Sequence, residues 1–302
     1  MSSGWNTIES DAVMEKLQVK NVQFEELYSF DQETLSSIAP LYGVIFLFKY
    51  GQSSHGSELK DGVYDFDNQD SIFFAKQTIQ NACATQAVLN VLLNRNDIDL
   101  GPELTNFKEF VGSFDPDLKG ETISNSDLIR SIHNSFSSPN SFIDESQQDQ
   151  PQDDDDDGLY HFVGYVRSSN GHLLELDGLQ PAPIDHGLCE TDDEFISKLP
   201  TVLSKRISHF KDGELRFSLL GIVQDRRKTL KEIGDEEGLE REILKRQLWK
   251  RENELRKQDF AGLVYNVLTS ISKGKSDDEW NEILNKARTK GVSRILAKQL
   301  RR

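Results

Sequence analysis

Two cysteines occur in 302 residues, and the one at position 83 stands where it could act as a nucleophile. The stretch QNACATQAVLNVLLN (80–94) turns apolar just after it. That pattern predicts a helix over 84–94 with apolar positions nearly all round, hence a buried one. Cys83 would then stand at the helix start. Unpaired N–H groups and a partial positive charge at a helix N-terminus favour a thiolate over a thiol. Ala82 and Ala84 flank the sulfur with little bulk and leave room for a substrate carbonyl. The plainer reading is a small apolar residue in a core helix, since free cysteine is among the most buried residue types.

A thiol nucleophile needs a base, and the base needs an orienting group. His161 and Asp177 lie on the two arms of a predicted hairpin. It consists of a strand over 159–166, a turn holding Asn170-Gly171, a strand over 172–177 and an Asp-Gly turn. With Arg167–Gly171 as the loop, Val166 pairs with His172 and His161 falls opposite Asp177 on one side of the sheet. A two-residue turn at Asn170-Gly171 would instead set Gly164 opposite Asp177 and spoil the pairing. The oxyanion of an acyl-transfer intermediate also needs donors. The Cys83 N–H is one, and the side-chain amides of Gln77 and Gln80 are both candidates for the other. Cys189, in DHGLCETDDEF, has acidic neighbours that disfavour a thiolate, so it is placed outside the site. No cluster of Cys and His has ligand spacing, so neither a metal nor a cofactor is implied.

The elements that must position these residues are legible in outline. A short helix near 11–18 is followed by strand and turn signals in VQFEELYSF and SIAPLYGVIFLFKY. The polar, Gly-rich stretch 50–70 reads as a loop. Further helices are expected at 103–113 and 125–136, the second capped by Asn125 or Ser126. Residues 137–158 combine Ser, Gln, Pro and an Asp run without periodicity and cannot bury enough apolar area to offset ordering entropy. LRFSLLGIVQD (215–225) is a buried strand. Beyond it the composition changes to Lys, Arg and Glu, with an apolar minority read as one amphipathic helix from 226 through Ile271. A last helix carries Trp280, Ile283 and Leu284 and, after Gly291, Ile295, Leu296 and Leu300.

Composition bounds the function classes. At 36% apolar and 28% charged residues the chain can build a real core. Two cysteines make no disulfide framework and point to a reducing compartment, and MSSGWNTIESD carries no secretory pattern. The strongest apolar run, Val44–Phe48, falls far short of the ~20 residues of a membrane helix, so no membrane partner is expected. Residues 1–222 hold 15 Lys/Arg against 37 Asp/Glu, whereas 223–302 hold 20 against 14. The acidic body argues against nucleic acid and favours a basic partner, and the basic tail reads as a separate module.

FFAKQTIQNACATQAVLNVLLN, YHFVGYV and LELDGLQPAPIDHG together resemble the ubiquitin C-terminal hydrolase family of cysteine peptidases. WNTIESD is similar to the family's opening, although Ala12-Val13 stand where Pro-Gly often follows. The resemblance covers roughly 1–225. It implies an α+β, papain-like fold, an antiparallel sheet flanked by helices, and a catalytic domain over 1–225. It assigns Cys83 as nucleophile, His161 as general acid and base, Asp177 as the group orienting His161, and Gln77 rather than Gln80 as oxyanion donor. It makes 137–158 a crossover loop over the cleft, although the Asp run departs from the family's pattern there. LWKRENELRKQDFAGLVYNVL resembles the C-terminal extension of the long, proteasome-associated subclass. Residues 226–302 would then be a helical module that docks a ubiquitin-receptor subunit of the proteasome. Ile295, Leu296 and Leu300 share one helical stripe that would bury against the receptor. The expected activity is a thiol hydrolase acting at the C-terminal glycine of ubiquitin or its conjugates, in cytoplasm and nucleus. A non-catalytic ubiquitin-binding adaptor and a protease for a ubiquitin-like modifier are the alternatives.

Overall fold

The computed structural model describes residues 12–49, 61–68, 71–79, 82–136, 160–208 and 217–299, with 292–299 as backbone only. The 137–158 stretch, Gln80 and Leu300 lie outside the described residues, as do the side chains of Ile295 and Leu296. In chain order, α1 (Ala12–Lys16), β1 (Val22–Leu27), α2 (Gln32–Ser37), β2 (Leu41–Lys49) and β3 (Val63–Tyr64) lead to α3 (Cys83–Leu92). Then come α4 (Gly101–Phe110), α5 (Pro116–Asn125), α6 (Asp127–Asn134), β4 (Tyr160–Arg167), β5 (His172–Leu176) and β6 (Ile184–Leu188). The chain continues through α7 (Asp192–Ser208), β7 (Phe217–Gln224), α8 (Arg226–Ile233), α9 (Glu236–Arg256), α10 (Ala261–Ser272) and α11 (Asp277–Gln299).

The chain divides into two compact units. The first holds the elements through α9, and its strands form one sheet of order β1-β7-β2-β4-β5-β6-β3 with every pair antiparallel. β2 is nearly continuous in apolar residues because both faces of the sheet are covered. Val44, Phe46 and Phe48 join Tyr165 and the buried α7 residues Phe195, Leu199 and Leu203 in one core. Ile45 joins Val88, Leu89 and Val91 of α3 in the other. Close approach of α3 needs two glycines. A Cβ on Gly43 would fall 2.4 Å from Val91 Cγ1, and one on Gly164 2.8 Å from Val91 Cγ2. Ser126, not Asn125, caps α6, its hydroxyl accepting from Ile129 N–H at 3.3 Å. α2, α5, α7 and β6 add to the expected elements, and β3 lies within the 50–70 stretch read as a loop.

Two expectations are corrected. The hairpin joining β4 to β5 pairs Val166 with Leu174, not with His172. The loop between the strands is Ser168–Gly171, and the register is displaced by two residues from the five-residue alternative. The single helix expected over 226–271 is three helices. Gly234, with φ 74°, ends α8 in the left-handed conformation that glycine adopts without strain. Asp235 caps the next, accepting from Gly238 N–H at 2.8 Å.

α9 belongs to the first unit, which thus extends past the change of composition at 225. Its buried Arg246 donates to Gln23 Oε1 of β1 at 2.8 Å, to Asp225 Oδ1 at 3.2 Å and to Glu242 Oε2 at 2.9 Å. A buried guanidinium demands such partners. The described part of the second unit is 258–299 and contains α10 and α11. Leu263, Val264, Val267, Leu268 and Ile271 of α10 are exposed.

Candidate active site

α3 begins at Cys83, with Ala82 in the cap position and no side chain bonded to the cap. The first-turn N–H groups therefore have no side-chain cap among the described residues. The sulfur-bearing side chain is only 4% exposed. His161 is the second residue of β4 and also buried. The observed register sets Gly164 opposite Leu176, and carried one residue past β5 it makes His161 diagonal to Asp177 rather than opposite it. Because side chains alternate with period two, a displacement of two residues keeps both on the same face. His161 Nε2–H donates to Asp177 Oδ1 at 2.7 Å. The Cys83 sulfur is close enough to His161 to raise its pKa, and with Nε2 taken by Asp177, Nδ1 is the ring nitrogen left to face it.

Charge and burial oppose each other at the imidazole. Burial pushes the His161 pKa down, but the hydrogen bonds to Asp177 and Cys83, with their charges, outweigh it and raise it to about 9. The Asp177 carboxyl shows the complementary balance. Burial pushes it up, while the His161 hydrogen bond and charge, Arg206 and the Leu179 N–H hold it below its ordinary value. Leu179 N–H donates to Asp177 Oδ1 at 3.0 Å, and Arg206 lies 3.7 Å from Oδ2. Phe48, paired with His161 across β2 and β4, has its ring perpendicular to the imidazole with the centroids 5.8 Å apart.

Arg206, at the end of α7, is the residue the sequence reading missed. It bridges Asp177 and Glu175, standing 3.3 Å from Glu175 Oε1, and its guanidinium lies 5.3 Å over the Phe48 ring. Glu175 is buried and also bonds His186 Nε2 at 3.0 Å. The signal available was an arginine near the end of a segment with helical apolar spacing, Phe195, Ile196, Leu199, Val202 and Leu203.

Gln77 is brought to the same place. Its N–H donates to Gly178 O at 2.8 Å, directly after Asp177. Cys189 is fully buried and separate from this chain of hydrogen bonds, its Sγ facing Thr191 O at 3.7 Å. Burial, with a contribution from Glu194, pushes its thiol up to about 11. No group of three or more His, Cys, Asp and Glu among the described residues could hold a metal ion. No described helix is long and apolar enough to cross a membrane. A sulfur at a helix start, beside an imidazole whose charged form a buried carboxylate favours, has the parts for acyl transfer through a thioester.

The model of the ubiquitin carboxyl-terminal hydrolase family 1 matches residues 5–208. Ubiquitin carboxyl-terminal hydrolase 2 of Schizosaccharomyces pombe is 43% identical over 302 aligned residues, covering 96% of this chain and 98% of that one. Among solved structures, the Trichinella spiralis UCH37 catalytic domain bound to ubiquitin vinyl methyl ester superposes with a TM-score of 0.58 at 32% identity, covering 71% of this chain and 90% of that one. A second UCH37 structure from that organism, bound to the same compound, has a TM-score of 0.58 at 28% identity and covers 85% of this chain and 97% of that one.

Proposed function

Since the chain belongs to family 1 of the ubiquitin carboxyl-terminal hydrolases and is a cysteine-type ubiquitinyl hydrolase, we propose that Cys83, His161 and Asp177 are its catalytic residues and act as follows. The Cys83 thiolate adds to the carbonyl carbon of ubiquitin's C-terminal glycine. The negative charge that develops on the carbonyl oxygen is met by the Cys83 N–H and the Gln77 side chain. Collapse of the intermediate breaks the C–N bond, and the His161 imidazolium gives its proton to the departing amine. A thioester to Cys83 remains. The now neutral His161 takes a proton from water, whose oxygen adds to the thioester carbonyl. The C–S bond breaks, releasing the carboxylic acid and restoring the thiolate–imidazolium pair. Asp177 holds the imidazole in one orientation and favours its charged form.

One observation carries this reading: a buried imidazole that bonds the Asp177 carboxylate and is acted on by a buried sulfur at a helix N-terminus. Replacement tests it. Cys83→Ala is expected to abolish turnover of a fluorogenic ubiquitin C-terminal amide while ubiquitin still binds, and Cys189→Ala to leave both intact. Full turnover in Cys83→Ala would remove the nucleophile from the proposal.

The proposal extends to the tail. Residues 1–225 would carry catalysis and 226–302 would dock a ubiquitin-receptor subunit of the proteasome, with the protein acting in cytoplasm and nucleus. The exposed apolar residues of α10 support a docking role for the extension.

A further inference from the structure

The segment leading to Gln77 poses a backbone problem. Residues 71–79 lie in no strand, yet Ile72, Phe73, Phe74 and Ala75 are buried. Buried N–H and C=O groups must be paired, and here side-chain amides of the nucleophile helix do the pairing. Asn94, just beyond α3, accepts from Phe73 N–H at 2.8 Å and donates to Phe73 O at 2.7 Å. Asn90 accepts from Ala75 N–H at 3.1 Å. Gln86 Nε2 donates to Ala75 O. Gln86, Asn90 and Asn94 are spaced by four and so share one helix face. They act on alternate residues, 73 and 75, as a neighbouring strand would. The next residue in that alternation is Gln77, whose own N–H goes to Gly178.

Gln86 is the hinge point of this ladder. It lies three residues after Cys83, is 4% exposed, and sits beside Gly178, where a Cβ would fall 3.0 Å from its Nε2 and 3.1 Å from Gln77 N. Asn90 is fully buried. A helix buried nearly all round has no need of two amides for packing, and Asn is a poor helix former. They are accounted for by what they hold.

We infer that Gln86 and Asn90 are positioning residues for the oxyanion donor: through Ala75 they fix Gln77 against the same helix that carries Cys83. The inference rests on the catalytic reading above. Displacements near 1 Å in such a site cost about 10²-fold in rate, so a ladder that ties donor and nucleophile to one rigid element has kinetic weight.

A double-mutant cycle on the full chain tests it, read by kcat and KM for a fluorogenic ubiquitin amide, ubiquitin affinity and the thermal midpoint. Gln86→Met keeps the length of the side chain and removes the amide. The expected result is a fall in kcat of about tenfold, with KM and ubiquitin affinity within about twofold. Gln77→Ala alone should lower kcat by about 10²–10³. In that background Gln86→Met should change kcat less than about twofold, because the group it positions is gone. Asn90→Leu, which keeps the side chain's shape and removes the amide oxygen that accepts from Ala75 N–H, enters the same cycle with the same fall in kcat expected, and so tests the inference however Gln86→Met folds. A tenfold loss that persists in full without Gln77 overturns the inference, as does a folded Gln86→Met variant of unchanged kcat. If Gln77→Ala alone is fully active, the oxyanion assignment fails first, and the two failures are told apart by that single variant.

Discussion

Asp177→Asn removes a charge and little else. Asparagine keeps the shape and can still accept from His161 Nε2–H, but the imidazolium loses the buried carboxylate beside it. His161 has an ordinary value of 6.5 and is raised to about 9 against burial, with Asp177 the first of the groups raising it. Without that charge its pKa falls back toward 6.5, with burial pushing it down and Cys83 still pushing it up. His161 must be protonated to serve the leaving amine, so activity is present below its pKa and lost as pH rises through it. At pH 8 the protonated fraction falls from about 0.9 to about 0.03, a loss of about 30-fold from protonation alone. At pH 6 the same factor is under about twofold. Loss of orientation multiplies both. The assay is kcat/KM for a fluorogenic ubiquitin amide from pH 5.5 to 10, for both proteins. The alkaline limb should lie near 9 in the wild type and about two units lower in the variant. Stability follows the same sign: the raised His161 pKa stabilises the fold below 6.5, and that contribution fades as pH approaches 9. A variant whose rate falls by one constant factor across the whole range, with its alkaline limb in place, would refute the reasoning.

Arg206→Met leaves buried Glu175 without its guanidinium partner and Asp177 with one fewer positive neighbour. Its urea midpoint should drop by the equivalent of about 1–3 kcal/mol and its kcat by a few-fold; an unchanged midpoint would show that the bridge carries no weight. Deletion of 285–302 should keep hydrolysis of the fluorogenic amide within about twofold and abolish co-purification with proteasomes. Co-purification that survives the deletion would move the docking site to the 239–271 helices.

Where the fold was legible in the sequence, one residue pattern dominated. Small residues around Cys83 followed by an apolar run place it at a helix start, which is where α3 begins. The hairpin strands were equally plain, but its register was not. Loop length depends on how Ser168 and Gly171 close the turn, with Gly171 N–H donating to Ser168 O at 3.1 Å, and no apolar pattern encodes it. The face of His161 and Asp177 survived the slip because the strand period is two. In the tail the apolar spacing runs on through Gly234, so periodicity alone reads one helix where a left-handed glycine makes a break. α7 hides in the opposite way: Pro200 punctuates the sequence where the helix continues. Arg206 is reached only once that helix is seen to return its end to the site. Gln86 and Asn90 are visible as amides inside an apolar helix, but their partners are backbone groups that the sequence does not distinguish.

Reaction with ubiquitin bearing a C-terminal vinyl methyl ester, followed by peptide mapping, tests the central claim most directly. One ubiquitin should be attached per chain, at Cys83, with the rate falling as His161 loses its proton above about pH 9 and with Cys189 unmodified. Attachment at Cys189, or no attachment to the folded wild-type chain, would contradict the assignment of Cys83 as the nucleophile.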